Sequence, residues 1–271
     1  MARLASLPLI VLLIGIGAVA MLVPAIHAWV VRDLETARAF LYPAILFLVL
    51  FVMIGIATSN YRIRRQGRSH LISLLAFYTV LPLMLAVPVA EAVPDTRFFN
   101  AYVEMASSLT TTGFTLFVPD RLPESVHLWR AFVGWGGGFF VWVAALAILA
   151  PLNLGGFEVA SVEEVGRGAT SGTTAIERIA DPSERLLRFS ARLFPIYAGL
   201  TLVLWVALIL AGDRSFVALC HAMSTLATSG ISPISGPDAS GAGTGGEILI
   251  FLFFVFALSR LTFTADDRAD G

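Results

Sequence analysis

Long apolar blocks separated by short polar segments run along most of the chain. Six blocks reach the length of about 20 residues that a helix needs to cross a hydrocarbon core of roughly 30 Å, and these are 7–31, 39–57, 69–91, 128–150, 187–211 and 246–264. The apolar residues form continuous runs rather than the short alternating pattern of a half-buried strand. The pattern predicts an all-α integral membrane protein with six transmembrane helices.

Two further apolar segments lie in the loops between these spans and are too short to cross. In residues 97–127, helical apolar spacing begins at Phe98 and ends at Leu109, directly before the polar stretch Thr110–Phe114. The loop between the last two spans repeats this plan, with a short apolar helix from Phe216 to Leu226 followed by residues 227–232. We therefore predict two re-entrant pore helices, each leading into a polar strand centred on a glycine.

The two loops match one another at a fixed offset of 117 residues. Identical or hydroxyl-bearing residues fall at equivalent places, in the pairs Ser107/Ser224, Ser108/Thr225, Leu109/Leu226, Thr111/Thr228, Thr112/Ser229, Gly113/Gly230 and Thr115/Ser232. The same offset superimposes span 69–91 on 187–211 and span 128–150 on 246–264. The chain is thus predicted to contain two copies of a span–pore-loop–span unit.

This repeat divides the chain into four parts. Residues 1–68 hold two extra N-terminal transmembrane helices, 69–150 form the first unit, 151–186 form a cytoplasmic connector, and 187–271 form the second unit, which stops shortly after its last span. Arginine is more frequent in the segments on the N-terminal side of the membrane, most densely at 62–68, which favours a cytoplasmic N-terminus.

Irregular backbone at membrane depth persists only where it is buried in protein or faces water. Rings of backbone carbonyls can replace the hydration shell of a monovalent cation, glycine permits positive φ, and the C-terminal end of a short helix favours positive charge. We therefore predict that potassium binds at the eight residues of the two strands, which are Thr111, Thr112, Gly113, Phe114, Thr228, Ser229, Gly230 and Ile231. The order Thr111-Thr112-Gly113-Phe114 resembles the Thr-x-Gly-aromatic order of potassium-channel filters.

Composition excludes several other classes of function. The net charge of −1 gives no sign of nucleic acid binding, and the single cysteine excludes an internal disulfide. The four histidines are scattered and no nucleophile–base pair is visible, so an intramembrane enzyme is not favoured. We expect no enzymatic activity and no cofactor beyond K⁺ as the transported ion.

The stretch from Leu81 to Phe157 resembles the TrkH/KtrB superfamily of potassium-uptake transporters, and the resemblance extends over essentially the whole chain. It is carried by LPLMLAVPVAEAVP, FFNAYVEMASSLTTTGFTLF, HLWRAFVGW and ILAPLNLGGFEV. The resemblance implies potassium uptake through one pore surrounded by span–pore-loop–span units, in the inner membrane of a bacterium. It also implies a homodimer and a cytosolic nucleotide-binding regulatory subunit similar to TrkA.

The superfamily builds its filter from four such units in one chain, whereas this sequence contains two. Either the sequence is the N-terminal half of a longer protein, or two copies assemble. The alternative function is a non-conducting or regulatory half-subunit, a scaffold that lacks two of the four filter repeats.

Overall fold

The computed structural model describes residues 9–58, 66–149 and 182–258, and these ranges contain helices and no strand. The α-helices are α1 (Leu9–Ala20), α2 (Leu22–Val30), α3 (Leu34–Thr58), α4 (Gln66–Thr79), α5 (Leu81–Ala92), α6 (Phe98–Leu109), α7 (Glu124–Ala144), α8 (Pro182–Leu210), α9 (Ser215–Leu226) and α10 (Gly243–Leu258). A π-helical turn, Ala145–Leu149, extends α7, and short 3₁₀ turns occupy Pro119–Arg121 and Pro237–Ala239. The all-helical prediction is confirmed.

Five segments among the described residues are long and apolar enough to cross a membrane, and these are Leu9–Val30, Leu34–Thr58, Ile72–Ala92, Glu124–Ala147 and Arg185–Leu210. They correspond to the first five predicted spans. Prolines break two of them: Pro24 has no N–H for the carbonyl of Ala20, and Pro82 has none for that of Tyr78. The first span is accordingly α1 followed by α2, and the third is α4 followed by α5.

The ends of the later spans differ from the sequence prediction. Helix α8 begins at Pro182, so the last five residues of the predicted connector 151–186 are helical, and the rest of that connector lies outside the described residues. The 16 residues of α10 cover about 24 Å at 1.5 Å per residue, which is short for a crossing. Its predicted continuation to 264 also lies outside the described residues, so the sixth span stays a prediction.

Helices α6 and α9 are equivalent short helices, each packed against the span before it. Each has 12 residues, and both their first and last residues are 117 apart. Each follows a turn with one left-handed residue, Asp95 with φ 57° before α6 and Gly212 with φ 111° before α9. Because 12 helical residues reach only about 18 Å, each helix is too short to cross a hydrocarbon core of roughly 30 Å, and its re-entrant placement stays a prediction.

Helix α7 lies at the centre of the bundle and packs against α2, α6, α8 and α9. Its fully buried Trp129 contacts Phe40 edge to face and donates a hydrogen bond to the carbonyl of Leu85 at 3.1 Å. On the opposite side, buried Tyr197 of α8 donates from its hydroxyl to the carbonyl of Trp135 at 3.1 Å. These bonds fix the helix against which both pore loops rest.

Candidate functional site

Both short helices end in the same hydrogen-bonded cap. After α6, the N–H of Thr112 donates to the carbonyl of Ser107 at 2.9 Å and the N–H of Thr111 to that of Ser108 at 3.0 Å. After α9, Ser229 and Thr228 donate to Ser224 and Thr225 at the same two distances. This pair of bonds defines a Schellman motif, whose turning residue adopts the left-handed conformation and is usually glycine.

Here the turning residues are threonines. Thr111 has φ 56° and Thr228 has φ 53°, and Gly113 and Gly230, two residues further on, have φ 74° and 66°. A positive φ is a genuine outlier for a β-branched residue, whereas glycine adopts it without a clash. The two loops therefore share an unusual backbone course residue by residue, as the 117-residue offset indicates.

The segment at the end of each short helix has a row of backbone carbonyl oxygens that accept no hydrogen bond from the described residues. Within the described ranges, no hydrogen bond reaches the carbonyls of residues 111–113 or of residues 228–230. Phe114 differs, because its carbonyl accepts a hydrogen bond of 2.7 Å from the hydroxyl of Ser107 and is therefore held by α6. Of these six residues only Ser229 is buried, and the other five are partly or fully exposed, so the row lies where water or a ligand can approach it.

The structure brings the two predicted filter segments into contact. A Cβ placed on Gly113 would overlap the carbonyl oxygen of Ser229, so only glycine permits this approach of one segment to the other. Gly230 has open space around the equivalent position. The eight predicted site residues thus form one cluster at the C-terminal ends of α6 and α9.

Glycines on α7 allow this cluster to form. A Cβ on Gly137 would overlap the carbonyl oxygen of Leu109, and one on Gly138 would lie 2.8 Å from the Cα of Ala227. A Cβ on Gly134 would lie 2.8 Å from the side chain of Ile231, whereas one on Gly136 would meet nothing within 4 Å. Three of the four glycines in this helix are therefore packing residues that let both pore helices end against α7.

The two loops differ in how far they are covered. Ile231 is 3% exposed, because α7 covers it, whereas its equivalent Phe114 is 56% exposed. Helix α10, the repeat equivalent of α7, packs against α8 and α9 and leaves most of its large apolar side chains exposed. Phe114 of the first unit and α10 of the second unit are therefore exposed apolar surfaces.

Polar side chains in the middle of each pore helix hold the segment that follows the filter glycine. Glu104 is 1% exposed, accepts a hydrogen bond of 2.9 Å from the N–H of Leu116, and forms an ion pair of 2.6 Å with the buried Arg130 of α7. His221, at the equivalent position of α9, lies 2.9 Å from the hydroxyl of Ser232 and 3.7 Å from Asp213.

The sequence places Glu104 and His221 at equivalent positions of the two short helices, but it does not reveal the partners of either side chain. The signal was present in the repeat, because the offset of 117 residues relates Glu104 to His221 and Thr115 to Ser232. The partners themselves depend on the tertiary structure, because Ser232 and Asp213 are brought to His221 by the loops that follow and precede α9.

No protein-family model matches the chain. Among curated proteins, it is 32% identical over 225 residues to the Trk system potassium uptake protein TrkH of Vibrio parahaemolyticus, covering 82% of this chain and 44% of the relative. It is 30% identical over 214 residues to TrkH of Escherichia coli K12, covering 78% of this chain and 42% of that protein. The chain therefore spans less than half the length of these relatives.

A solved structure gives the same result in three dimensions. The crystal structure of the potassium transporter TrkH from Vibrio parahaemolyticus superposes on this chain with a TM-score of 0.72 at 28% sequence identity. The superposition covers 92% of this chain and 48% of that one. The observed helix arrangement, with its two short helices, is thus one that a solved membrane transporter also has.

Proposed function

The chain belongs to the family of TrkH potassium uptake proteins, and on this premise we propose that it forms part of a pore for potassium uptake. The pore is lined by the backbone carbonyls of residues 111–113 and 228–230. Gly113 and Gly230 adopt the positive φ at which these segments turn, and Ile231 packs against α7 behind the second segment. The observation that carries the proposal is the set of carbonyls without hydrogen bonds, contributed equally by two loops that meet.

The energetics of the membrane favour this use. An unsatisfied carbonyl costs several kcal/mol in lipid, so these segments need water or an ion beside them. A cation that sheds its hydration shell recovers the lost interactions from carbonyl oxygens. The same contact gives the carbonyls the polar partner that they lack. The ends of α6 and α9 add partial negative charge at the same place, which stabilises a cation further.

The charges near the loops favour a monovalent ion. Neither 110–118 nor 227–236 contains an aspartate or glutamate. Glu104, the buried carboxylate of the first pore helix, is paired with Arg130, so that pair adds no net charge to the filter. Calcium sites are usually built with several carboxylate oxygens, whereas potassium filters use neutral carbonyls.

The exposed faces favour a pore that is completed by further units. Phe114 and the outer face of α10 are apolar surfaces of the kind that α7 and Ile231 bury between the two units present. We propose that two more span–pore-loop–span units cover them, either in a longer polypeptide or in a second copy of this chain. The alternative is a half-subunit that does not conduct and serves as a scaffold.

Family membership also supports proposals on location and partners. The named relatives are potassium uptake proteins of bacteria and not enzymes. We place this multi-pass chain in the bacterial inner membrane with its N-terminus in the cytoplasm, as the arginine distribution predicts. By resemblance, we propose assembly as a homodimer with a cytosolic nucleotide-binding regulatory subunit similar to TrkA.

Ion flux into liposomes tests the proposed pore directly. The purified protein should admit Rb⁺, a potassium substitute, in preference to Na⁺, and Gly113→Ala should abolish that preference because its Cβ overlaps the carbonyl of Ser229. Gly136→Ala, in open space on α7, is the matched control and should conduct like the parent protein. Equal Rb⁺ and Na⁺ flux in the parent protein, unchanged by Gly113→Ala, would overturn the proposal.

Growth at low potassium separates the conducting and scaffold alternatives. The chain should rescue a host that lacks potassium uptake systems, and Gly113→Ala should not. No rescue, together with no Rb⁺ flux by a protein that reaches the membrane, would favour the non-conducting half-subunit.

A further inference from the structure

We propose that Glu104 and His221 are positioning residues that fix the two filter segments from behind and thereby set the selectivity of the pore among monovalent cations. The inference rests on the proposed potassium pore. Neither side chain is proposed to touch the ion, and each acts on the chain that leaves the filter glycine.

The first tether joins the middle of α6 to the strand beyond Gly113. Glu104 lies five residues before the end of α6, and its Oε2 accepts the N–H of Leu116, three residues after Gly113. The loop between these two anchors contains the left-handed Thr111 and the three free carbonyls of the first segment. One partly buried hydrogen bond therefore closes the loop that carries the predicted ion ligands.

The second tether occupies the equivalent place with different chemistry. His221 lies five residues before the end of α9, and its Nε2 lies 2.9 Å from the hydroxyl of Ser232, two residues after Gly230. The same hydroxyl accepts the N–H of Ile234 at 3.2 Å, so the histidine holds a small turn. Asp213 faces the other ring nitrogen and bonds the N–H of Gly241, which links this tether to the turn before α10.

The tethers supplement a small number of other anchors, which are the cap bonds of Thr112 and Ser229 and the bond from Ser107 to the carbonyl of Phe114. Thr111 and Thr228 hold a costly backbone conformation, which persists only where surrounding contacts enforce it. The carbonyls that follow make no bond within the described residues that could resist a rotation of their peptide planes. Ion selectivity depends on the positions of such oxygens. A bond that fixes the backbone on either side of the carbonyls of 111–113 or 228–230 therefore directly affects selectivity.

Glu104 has a second role, neutralising a buried charge, which the experiment must separate from its hydrogen bond to Leu116. It neutralises Arg130, which is buried beside the pore helix, and an unpaired arginine there would repel a cation in the filter. Arg130 also lies 3.3 Å from His127, which bonds the carbonyl of Pro119, so the ion pair reaches the loop after the first filter segment. Variants therefore have to change the tether and the charge independently.

Two double variants make that separation in the first unit. Glu104→Gln with Arg130→Met removes both charges and leaves an amide oxygen for the N–H of Leu116. Glu104→Leu with Arg130→Met removes the same charges and also the acceptor. In liposomes that contain the full chain, the ratio of Rb⁺ to Na⁺ flux should fall about tenfold more in the leucine pair than in the glutamine pair.

A matched pair of single substitutions, one at equivalent positions in each unit, tests the second tether. Ser232→Ala removes the contact with His221 and the turn bond to Ile234. Thr115→Ala removes the equivalent turn bond to the N–H of Phe117 and a bond of 3.3 Å to the carbonyl of Phe117, but among the described residues no hydrogen bond joins Thr115 to Glu104. Ser232→Ala should lower the flux ratio and Thr115→Ala should not. Equal effects of the two alanines would overturn the second tether.

The readouts distinguish this inference from the function on which it rests. A flux ratio that responds to Gly113→Ala but is equal in the two Glu104 double variants would overturn the positioning role and leave the pore intact. A ratio that responds to neither Gly113→Ala nor the double variants would overturn the pore itself. Thermal melting of each variant in detergent shows that it is folded, so a loss of selectivity at unchanged melting temperature supports the tether.

Discussion

Thr111 and Thr228 lie 117 residues apart and share the left-handed backbone conformation, with φ of 56° and 53°. Each is the turning residue of the cap that ends a pore helix, a place where glycine would be free of strain. The left-handed conformation costs an ordinary residue roughly 1–2 kcal/mol. That both repeats keep a threonine here indicates that its hydroxyl or its stiffness is useful at the site.

Replacing either threonine with glycine should separate stability from function. Thr111→Gly removes the strain and should leave the free energy of unfolding unchanged or raise it by up to about 1 kcal/mol, since the flexibility of glycine offsets part of the gain. The preference for Rb⁺ over Na⁺ should fall in the same variant. Thermal melting in detergent and liposome flux measure the two effects.

Thr110→Gly is the control, because Thr110 has an ordinary φ of −81° and its hydroxyl bonds the carbonyl of Ala106 at 2.8 Å. It should lower the free energy of unfolding by about 1 kcal/mol. A similar loss in Thr111→Gly would show that Thr111 is not strained.

Adjacent glycines of α7 should respond in opposite ways to alanine. Gly137→Ala places a methyl group onto the carbonyl of Leu109 at the end of α6 and should cost about 1–3 kcal/mol of stability through overpacking. Gly136→Ala meets nothing within 4 Å and should raise stability by about 0.5–1 kcal/mol, as alanine does in a helix interior. Melting temperatures of the two variants in one detergent test this, and equal values would contradict the close packing of α7 and α6.

The single cysteine makes the exposure of the two filter segments measurable. Cys220 is fully buried, so the parent protein should not react with a water-soluble maleimide. Thr112→Cys stands at an exposed position and should react, whereas Ser229→Cys stands at the equivalent position, which is 3% exposed, and should not. Equal labelling of the two variants would show that the loops are covered to the same extent.

The hydrogen bond between Tyr197 and the carbonyl of Trp135 should contribute modestly to stability. Tyr197→Phe removes the hydroxyl and should lower the free energy of unfolding by about 1 kcal/mol. Tyr42→Phe, at a side chain that is 61% exposed, should change it by less than about 0.5 kcal/mol. If both variants melt at the temperature of the parent protein, the bond does not hold α8 to α7.

The sequence by itself determined the membrane class, the first five spans and the positions of the two short helices. Every helix that crosses lipid needs a long apolar stretch, so these elements can be predicted from the local sequence. The repeat placed α6 and α9 at the same offset that the structure shows, and it identified Gly113 and Gly230 as equivalent. Helix ends were less accurate, as at Pro182 and Glu124, because the apolar pattern fades before the helix does.

The tertiary structure alone decided which polar groups meet. Contacts between Gly113 and Ser229, between Gly137 and Leu109, and between His221 and Ser232 depend on how distant helices cross, which no local pattern records. It also showed that the carbonyl of Phe114 is held by Ser107, although the sequence motif groups Phe114 with the filter. The local apolar pattern indicates only which environment surrounds each helix. A site at membrane depth forms only when packing brings separate backbone segments together.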